Sequence, residues 1–243
     1  MDKNTIIVSL TTHSIRLKQV AKTAIFSIIK NTYKNIHICL TLYKDDIKNI
    51  PEDLKFLIDE QFVELIVADK DLGPHLKYFY AMKKYKENPI ITVDDDIIYP
   101  PEMIEDMVKA YNTHKCIIGR RCYAITPELN YYLWLNRGCN YSEVPTHKLF
   151  ATGVGGILYP PDCLKISDAN LEEILNIKYD DDFYLKALEV RNDVKIVTYK
   201  MSRMFVKNLA DAFTQSCARW NENMKRANNG IALFIKEFKK CLE

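Results

Sequence analysis

Asp94-Asp95-Asp96 and Asp180-Asp181-Asp182 are the two places where this chain gathers carboxylates densely enough to do chemistry. Three adjacent carboxylates repel one another unless protons or a cation intervene, so a divalent metal is the natural partner of the first triplet. Its oxygens are hard ligands suited to Mg²⁺ or Mn²⁺, ions that keep waters and bridge phosphates. In an extended segment Asp94 and Asp96 share one side and Asp95 points away. One of the pair could then hold the metal and the other a ribose or a bound water. The plainer alternative is a solvated acidic turn. The second triplet opens a predicted helix, where acids suit the positive end of the macrodipole and Asp180 could serve as N-cap. It could equally aim a carboxylate into a cleft as a general base for an acceptor hydroxyl.

Both triplets need a frame to hold them. The first follows Pro89-Ile90-Ile91-Thr92-Val93, a β-branched run that reads as a buried strand. Open α/β sheets place their ligands at strand C-terminal ends. Upstream, strand-like runs at 5–10, 36–42 and 62–67 alternate with helical spacing at 15–30, 52–60 and 76–85. A further helix covers 102–112, and Pro51 and Pro101 stand at the first turns of two of these helices. This order predicts an α/β fold with a mostly parallel sheet and helices on both faces. The second half is less regular. It offers strands at 116–121 and 194–198, an aromatic stretch without clear period at 123–144, and a strand at 149–159 interrupted by glycines. The second triplet heads a helix at 179–190, and 212–242 reads as mostly helical.

Glycine is scarce, seven in the chain, and three of them fall at 153, 155 and 156. The segment lacks a Gly-Lys-Ser/Thr ending and opens no helix, so it is neither a P-loop nor a dinucleotide fingerprint. Glycine in a strand marks a bulge or a place where a ligand crosses the backbone, and its position between the acidic triplets favours the ligand. Arg16 and Lys77 follow strand ends, where each could meet a diphosphate or a base, or simply be solvated. Tyr131-Tyr132-Leu133-Trp134 could stack on a sugar face, although such clusters are more often core. The stretch 231–240 is amphipathic with lysines. A packed terminal helix suits it best, and a peripheral contact with an anionic membrane surface is the other reading.

Composition excludes several classes. The net charge of +2 argues against a dedicated nucleic-acid binder. No apolar run reaches the roughly 18 residues of a membrane span, and the N-terminus lacks the pattern of a signal peptide. The seven cysteines, never as Cys-x-x-Cys, and the five histidines are dispersed, so neither a disulfide framework nor a His/Cys zinc site is expected.

Taken together, these motifs resemble the glycosyltransferases of the GT-A fold, closest to the bacterial family 2-like enzymes of polysaccharide and lipopolysaccharide assembly. The resembling pieces are Val8-Ser9-Leu10-Thr11-Thr12 with Arg16, Leu72-Gly73-Pro74-His75-Leu76-Lys77-Tyr78, Ile91-Thr92-Val93-Asp94-Asp95-Asp96, the Gly153–Gly156 segment and Asp181-Asp182-Phe183-Tyr184-Leu185. The first triplet looks like that family's Asp-x-Asp metal motif. The resemblance implies a nucleotide-diphosphate sugar donor held through Mn²⁺ or Mg²⁺ and a glycan or lipid-linked acceptor. Asp96 would be the main metal ligand, helped by Asp94, with Asp94 and Asp95 near the ribose. Thr11, Thr12, Arg16, Lys77, Gly155 and Gly156 would line the donor site. Asp182, with Asp181 close behind, matches the family's acidic pair whose later member is the base in inverting enzymes. Many relatives carry a late metal-binding His, whereas no His follows His147 here.

One domain, 1–243, is expected, with a nucleotide-binding half at 1–121, an acceptor and catalytic half at 122–210 and a C-terminal helix at 211–243. The expected location is cytoplasmic, with room for contact at the inner face of the membrane. Two rivals remain. Val93-Asp94-Asp95-Asp96 also fits the opening of a haloacid-dehalogenase-like phosphohydrolase, although that motif usually lies near the N-terminus and continues with Gly or Thr. A non-catalytic nucleotide-sugar-binding module is the other.

Overall fold

The β-branched runs of the first half pair side by side in a computed structural model that describes residues 1–198, 207–208 and 228–243. β1 (Ile6–Thr11), β2 (Ile36–Tyr43), β3 (Glu64–Ala68) and β4 (Ile90–Thr92) form a parallel group in which β1 lies between β2 and β4, and β3 takes the edge. Ile6 stands opposite Ile36, Ile7 opposite Ile90, and Cys39 opposite Glu64. Beyond β4 the chain makes β5 (Ile97–Ile98), β6 (Ile117–Gly119), β7 (Cys122–Ala124), β8 (Ser142–Thr146), β9 (Leu149–Ala151), β10 (Ile157–Tyr159), β11 (Ile196–Thr198) and β12 (Lys207–Asn208). Four of these extend the sheet to the order β3-β2-β1-β4-β10-β6-β11-β8. β10 runs antiparallel to both β4 and β6, β11 is parallel to β6, and β8 antiparallel to β11. The sheet is therefore mostly parallel, as expected, with β10 and β8 reversed. Two ribbons, β5 with β12 and β7 with β9, stand outside it.

Alternation along β1 sorts the core into two layers. Ile6, Val8 and Leu10 face α2 (Ala21–Ile29), α3 (Glu52–Asp59) and α5 (Met103–His114), whose Ile25, Leu54 and Met107 are buried with them. Ile7 faces the other layer, which holds α4 (Phe79–Lys84), α6 (Tyr131–Asn136) and α8 (Asp181–Arg191). Trp134 belongs to this second core rather than to a sugar platform: it is fully buried and stacks on Phe238 of the helix Ile235–Lys240. That helix is the packed terminal element expected from its pattern, with Phe234 and Phe238 buried. Residues 212–227 of the expected helical stretch lie outside the described residues.

Three local expectations change. The helix expected at 15–30 is two, α1 (Ser14–Gln19) and α2, because the buried, β-branched Val20 leaves the helical region at φ −123°. The helix expected at 76–85 begins as a 3₁₀ turn, Gly73–Lys77, before α4. The segment 123–144, which shows no period, contains most of β7, α6 and part of β8, and α7 (Leu171–Ile177) was not apparent at all. These elements are short, and tertiary pairing rather than periodicity defines them.

Candidate functional site

The chain leaves β4 at Thr92 and turns at Asp95 and Asp96. The backbone N–H of Asp94 donates to the Tyr99 hydroxyl at 2.8 Å, which anchors the turn. Because α1 starts right after β1, Arg16 lands beside this turn. Its Nη1 donates to Asp95 Oδ1 at 3.0 Å and its Nη2 to Asp96 Oδ2 at 2.7 Å. Asp94 faces elsewhere, toward Lys77 Nζ at 3.1 Å. The expectation that Asp94 and Asp96 share a side therefore fails. Alternation holds only in extended backbone, and here the backbone turns. The solvated-turn alternative fails too, since Asp95 and Asp96 are buried.

Lys77 is the bridge between the two acidic triplets. Its buried ammonium lies 3.1 Å from Asp94 Oδ1 and 2.8 Å from Asp181 Oδ2. Asp182, the next residue on α8, accepts from the backbone N–H of Gly153, with its oxygens at 3.1 and 3.3 Å. Gly153 sits where all these groups converge. A Cβ there would lie 2.7 Å from Lys77 Nζ, 3.2 Å from Asp94 Oδ1 and 3.4 Å from Asp182 Oδ1. The glycine requirement is thus real at Gly153, where the acidic groups meet. A Cβ at Gly155 would lie 2.9 Å from the Arg121 backbone N, and Gly156 adopts φ +84°, where a Cβ would lie 3.4 Å from Met103 Sδ. Asp180 precedes α8 without a side-chain capping bond, so capping does not account for the second triplet.

Of the other expected donor-site residues, Thr12 is buried within reach of Asp95. The Thr11 hydroxyl donates to the Thr41 carbonyl at 2.7 Å and so ties β1 to β2. Several site residues were not singled out from sequence. Tyr99 holds the Asp94 turn, and His75 is fully buried with Nδ1 2.6 Å from the Tyr78 hydroxyl. Arg121 Nε donates to the Tyr123 hydroxyl at 2.8 Å, on the same side as Tyr131, whose hydroxyl is pushed up by burial and by nearby Asp182. The one available signal was position, since Arg121 closes a predicted strand as Arg16 and Lys77 follow theirs.

The electrostatics separate the carboxylates. Asp94, Asp95, Asp96, Asp181 and Asp182 are met by ion pairs from Arg16 and Lys77 alone among the described residues. Burial works against the Lys77 charge, but Asp181, Asp94 and Asp182 outweigh it and keep Lys77 firmly protonated. Burial likewise raises Asp181, yet Lys77 and His75 pull it below the ordinary carboxylate range. Among the described residues Asp182 has no ion pair of its own. Burial, then Asp181, push it up to about 7. Burial and the Asp94 charge raise Asp96 to about 6 in spite of Arg16, and burial raises Asp95 as well. Among the described residues Asp95 Oδ2, buried near Thr12, makes no hydrogen bond of good geometry. Surplus negative charge and a poorly bonded carboxylate oxygen are what a divalent cation would relieve. Asp94, Asp95 and Asp96 are the carboxylates such an ion would draw on, with Asp94 facing Lys77 and Asp95 and Asp96 facing Arg16.

The profile of the family described as "Glycosyl transferase family 2" matches residues 10–164. No curated protein sequence matches the chain. Among solved structures, S. aureus TarS 1-349 in complex with UDP is similar at 12% identity and a TM-score of 0.56, covering 83% of this chain and 59% of that one. TarS 1-349 in complex with UDP-GlcNAc gives 11% identity and a TM-score of 0.54, over 96% of this chain and 65% of that one. Against S. aureus TarS itself the identity is 13%, the TM-score 0.56, and the coverage 83% of this chain and 35% of that one. At such identities the likeness speaks to the fold. The chain spans about three fifths of the TarS 1-349 chain.

Proposed function

The chain belongs to glycosyl transferase family 2, and on that premise we propose that it moves a sugar from a nucleotide-diphosphate donor to a hydroxyl of a glycan or lipid-linked acceptor. The family membership removes the phosphohydrolase reading, and the joining of both acidic triplets in one site argues against a non-catalytic binding module. The observation that carries the mechanism is the different environment of the two α8 carboxylates. Asp181 is neutralised by Lys77 at 2.8 Å, whereas among the described residues Asp182 is met by the Gly153 N–H and by no ion pair. A base works best when its pKa lies near the operating pH, and Asp182 sits at about 7. Asp182 is therefore the base and Asp181 its positioning neighbour.

In this reading Asp182 takes the proton from the acceptor hydroxyl. The freed oxygen bonds to the anomeric carbon while the bond to the departing diphosphate oxygen breaks, which inverts the anomeric centre. Lys77 orients Asp181 and Asp94. Asp96 and Asp94 would hold Mn²⁺ or Mg²⁺, which when bound neutralises charge on the departing nucleoside diphosphate. Arg16, with Thr12, would border the nucleotide, and must release Asp96 when a cation binds there. Residues 1–121 would serve the donor and 122–210 the acceptor. The resemblance to polysaccharide and lipopolysaccharide enzymes suggests a cell-surface glycan acceptor. No helix among the described residues is long and apolar enough to cross a membrane.

A thermal-shift screen of nucleotide sugars with and without Mn²⁺ tests this, since a ligand that binds the native state raises the melting temperature according to its affinity. UDP and UDP-GlcNAc, the ligands of the TarS structures, are the first to try. Asp96→Ala should lose the Mn²⁺-dependent shift. Asp182→Asn should keep it while transfer falls on the order of 10²- to 10⁴-fold. If no nucleotide sugar shifts or is turned over by the wild-type chain, the reading fails. Full activity in Asp182→Asn would refute the base assignment.

A further inference from the structure

A second cluster of ligating side chains lies on β2 and β3, with β1 between it and the aspartate-bearing β4. His37 and Cys39 are two apart on β2 and so project on one face, while Glu64 stands directly opposite Cys39 on β3. Ligand atoms of the three lie within 4.8 Å of one another. Glu64 Oε2 is the convergence point: His37 Nε2 is 2.6 Å from it, Cys39 Sγ 3.4 Å, and the Tyr85 hydroxyl also bonds to it. Tyr85 in turn lies 3.3 Å from His37 Nε2. The other carboxylate oxygen, Oε1, is held from outside by Lys84.

We propose that His37, Cys39 and Glu64, with Tyr85 beside them, form a zinc site separate from the sugar-transfer site. Three polar groups crowd onto one carboxylate oxygen that offers two lone pairs. A metal at their centre would take the imidazole nitrogen, the sulfur and Oε2 as ligands, with the Tyr85 oxygen or a water in the fourth place. Lys84 on Oε1 is the outer contact that orients a ligating carboxylate. The donor set decides the ion. Thiolate and imidazole are poor ligands for Mg²⁺ and good ones for Zn²⁺, and a nitrogen, sulfur and oxygen set suits tetrahedral zinc. The inner wall is the fully buried Cys39, while the His37 and Glu64 side chains are 29% and 21% exposed, which leaves an entry path. On binding, the Cys39 S–H bond breaks, its proton goes to solvent, and the sulfur bonds to the metal. The ion would tie the edge strand β3 to β2 and to the end of α4, a stabilising role independent of sugar transfer. Sequence dispersal hides such a site, because strand pairing alone brings residue 64 to residues 37 and 39.

The metal-stripped full chain is dialysed against ZnCl₂ with Mg²⁺ in excess, so that the aspartate site is occupied by a hard ion. One zinc per chain should be retained, and the melting temperature should rise. Co²⁺ in place of zinc should give the visible bands of a tetrahedral centre and a near-ultraviolet thiolate-to-cobalt band. Cys39→Ser should abolish the thiolate band, and His37→Gln should weaken zinc binding by on the order of tenfold or more. If Cys39→Ser does not fold, loss of the cobalt bands in His37→Gln and Glu64→Gln decides the matter. Absence of zinc uptake at micromolar free zinc, or uptake unchanged by these substitutions, overturns the proposal.

Discussion

Asp182 makes a prediction at the scale of one residue. Burial raises its pKa to about 7 in the folded chain, against an ordinary 3.8. A carboxyl whose folded pKa is raised favours folding while protonated, and that contribution fades as pH climbs from about 4 through about 7. Asp182→Asn keeps an acceptor for the Gly153 N–H and never ionises. Denaturant melts without metal should show the two proteins converging near pH 4 and the variant more stable at pH 8. Equal stability at pH 8 would mean that Asp182 is not strained by its charge. The sequence showed which carboxylates could do chemistry but not which of a neighbouring pair would. That depends on Lys77, which lies 104 positions before Asp181 and reaches it only through the fold. The same contact explains why Lys77 looked in sequence like a lysine that could as well be solvated.

At the scale of elements, α8 presents the proposed base and the terminal helix holds α8. Phe183, next to Asp182, packs against Phe150 and Phe238, with ring centroids at 4.8 and 6.0 Å. Gly230 lets the terminal segment approach so closely that a Cβ there would lie 2.6 Å from the Phe183 ring. Phe238 is fully buried, so Phe238→Ala should cost about 3–5 kcal/mol by chemical denaturation. Because the cavity opens beside Phe183, transfer should also fall while the Mn²⁺-dependent donor shift stays. A loss below about 1 kcal/mol, outside the usual range for a buried aromatic, would show that this helix only decorates the core. The amphipathic pattern at 231–240 made a packed helix legible. Its partners were not, because α6 shows no period of its own and the place of β9, paired with β7, is set by tertiary contacts.

Across the whole molecule, the parallel group β3-β2-β1-β4 places Arg16 and the first triplet, and the reversed strand β10 follows the glycine turn that meets the second. The surplus of carboxylates over cations at that junction, among the described residues, predicts a stabilising response to a divalent ion. Mn²⁺ should raise the melting temperature, and more at pH 8 than at pH 5, where protons compete for Asp96, whose pKa is raised to about 6 by burial and Asp94. A shift independent of pH, or one retained in Asp96→Ala, would place the ion elsewhere. The sequence by itself determined the alternating frame, the strand-end position of the first aspartates and the candidate acids, because periodicity and local charge are properties of neighbours along the chain. Only the tertiary structure decided that Arg16 pairs with Asp95 and Asp96, that Lys77 joins the two triplets, that Gly153 is the glycine at the cleft and that His37, Cys39 and Glu64 meet. Each of these depends on strand register and on the turn that ends β4, where contacts distant in sequence override the spacing of residues along it.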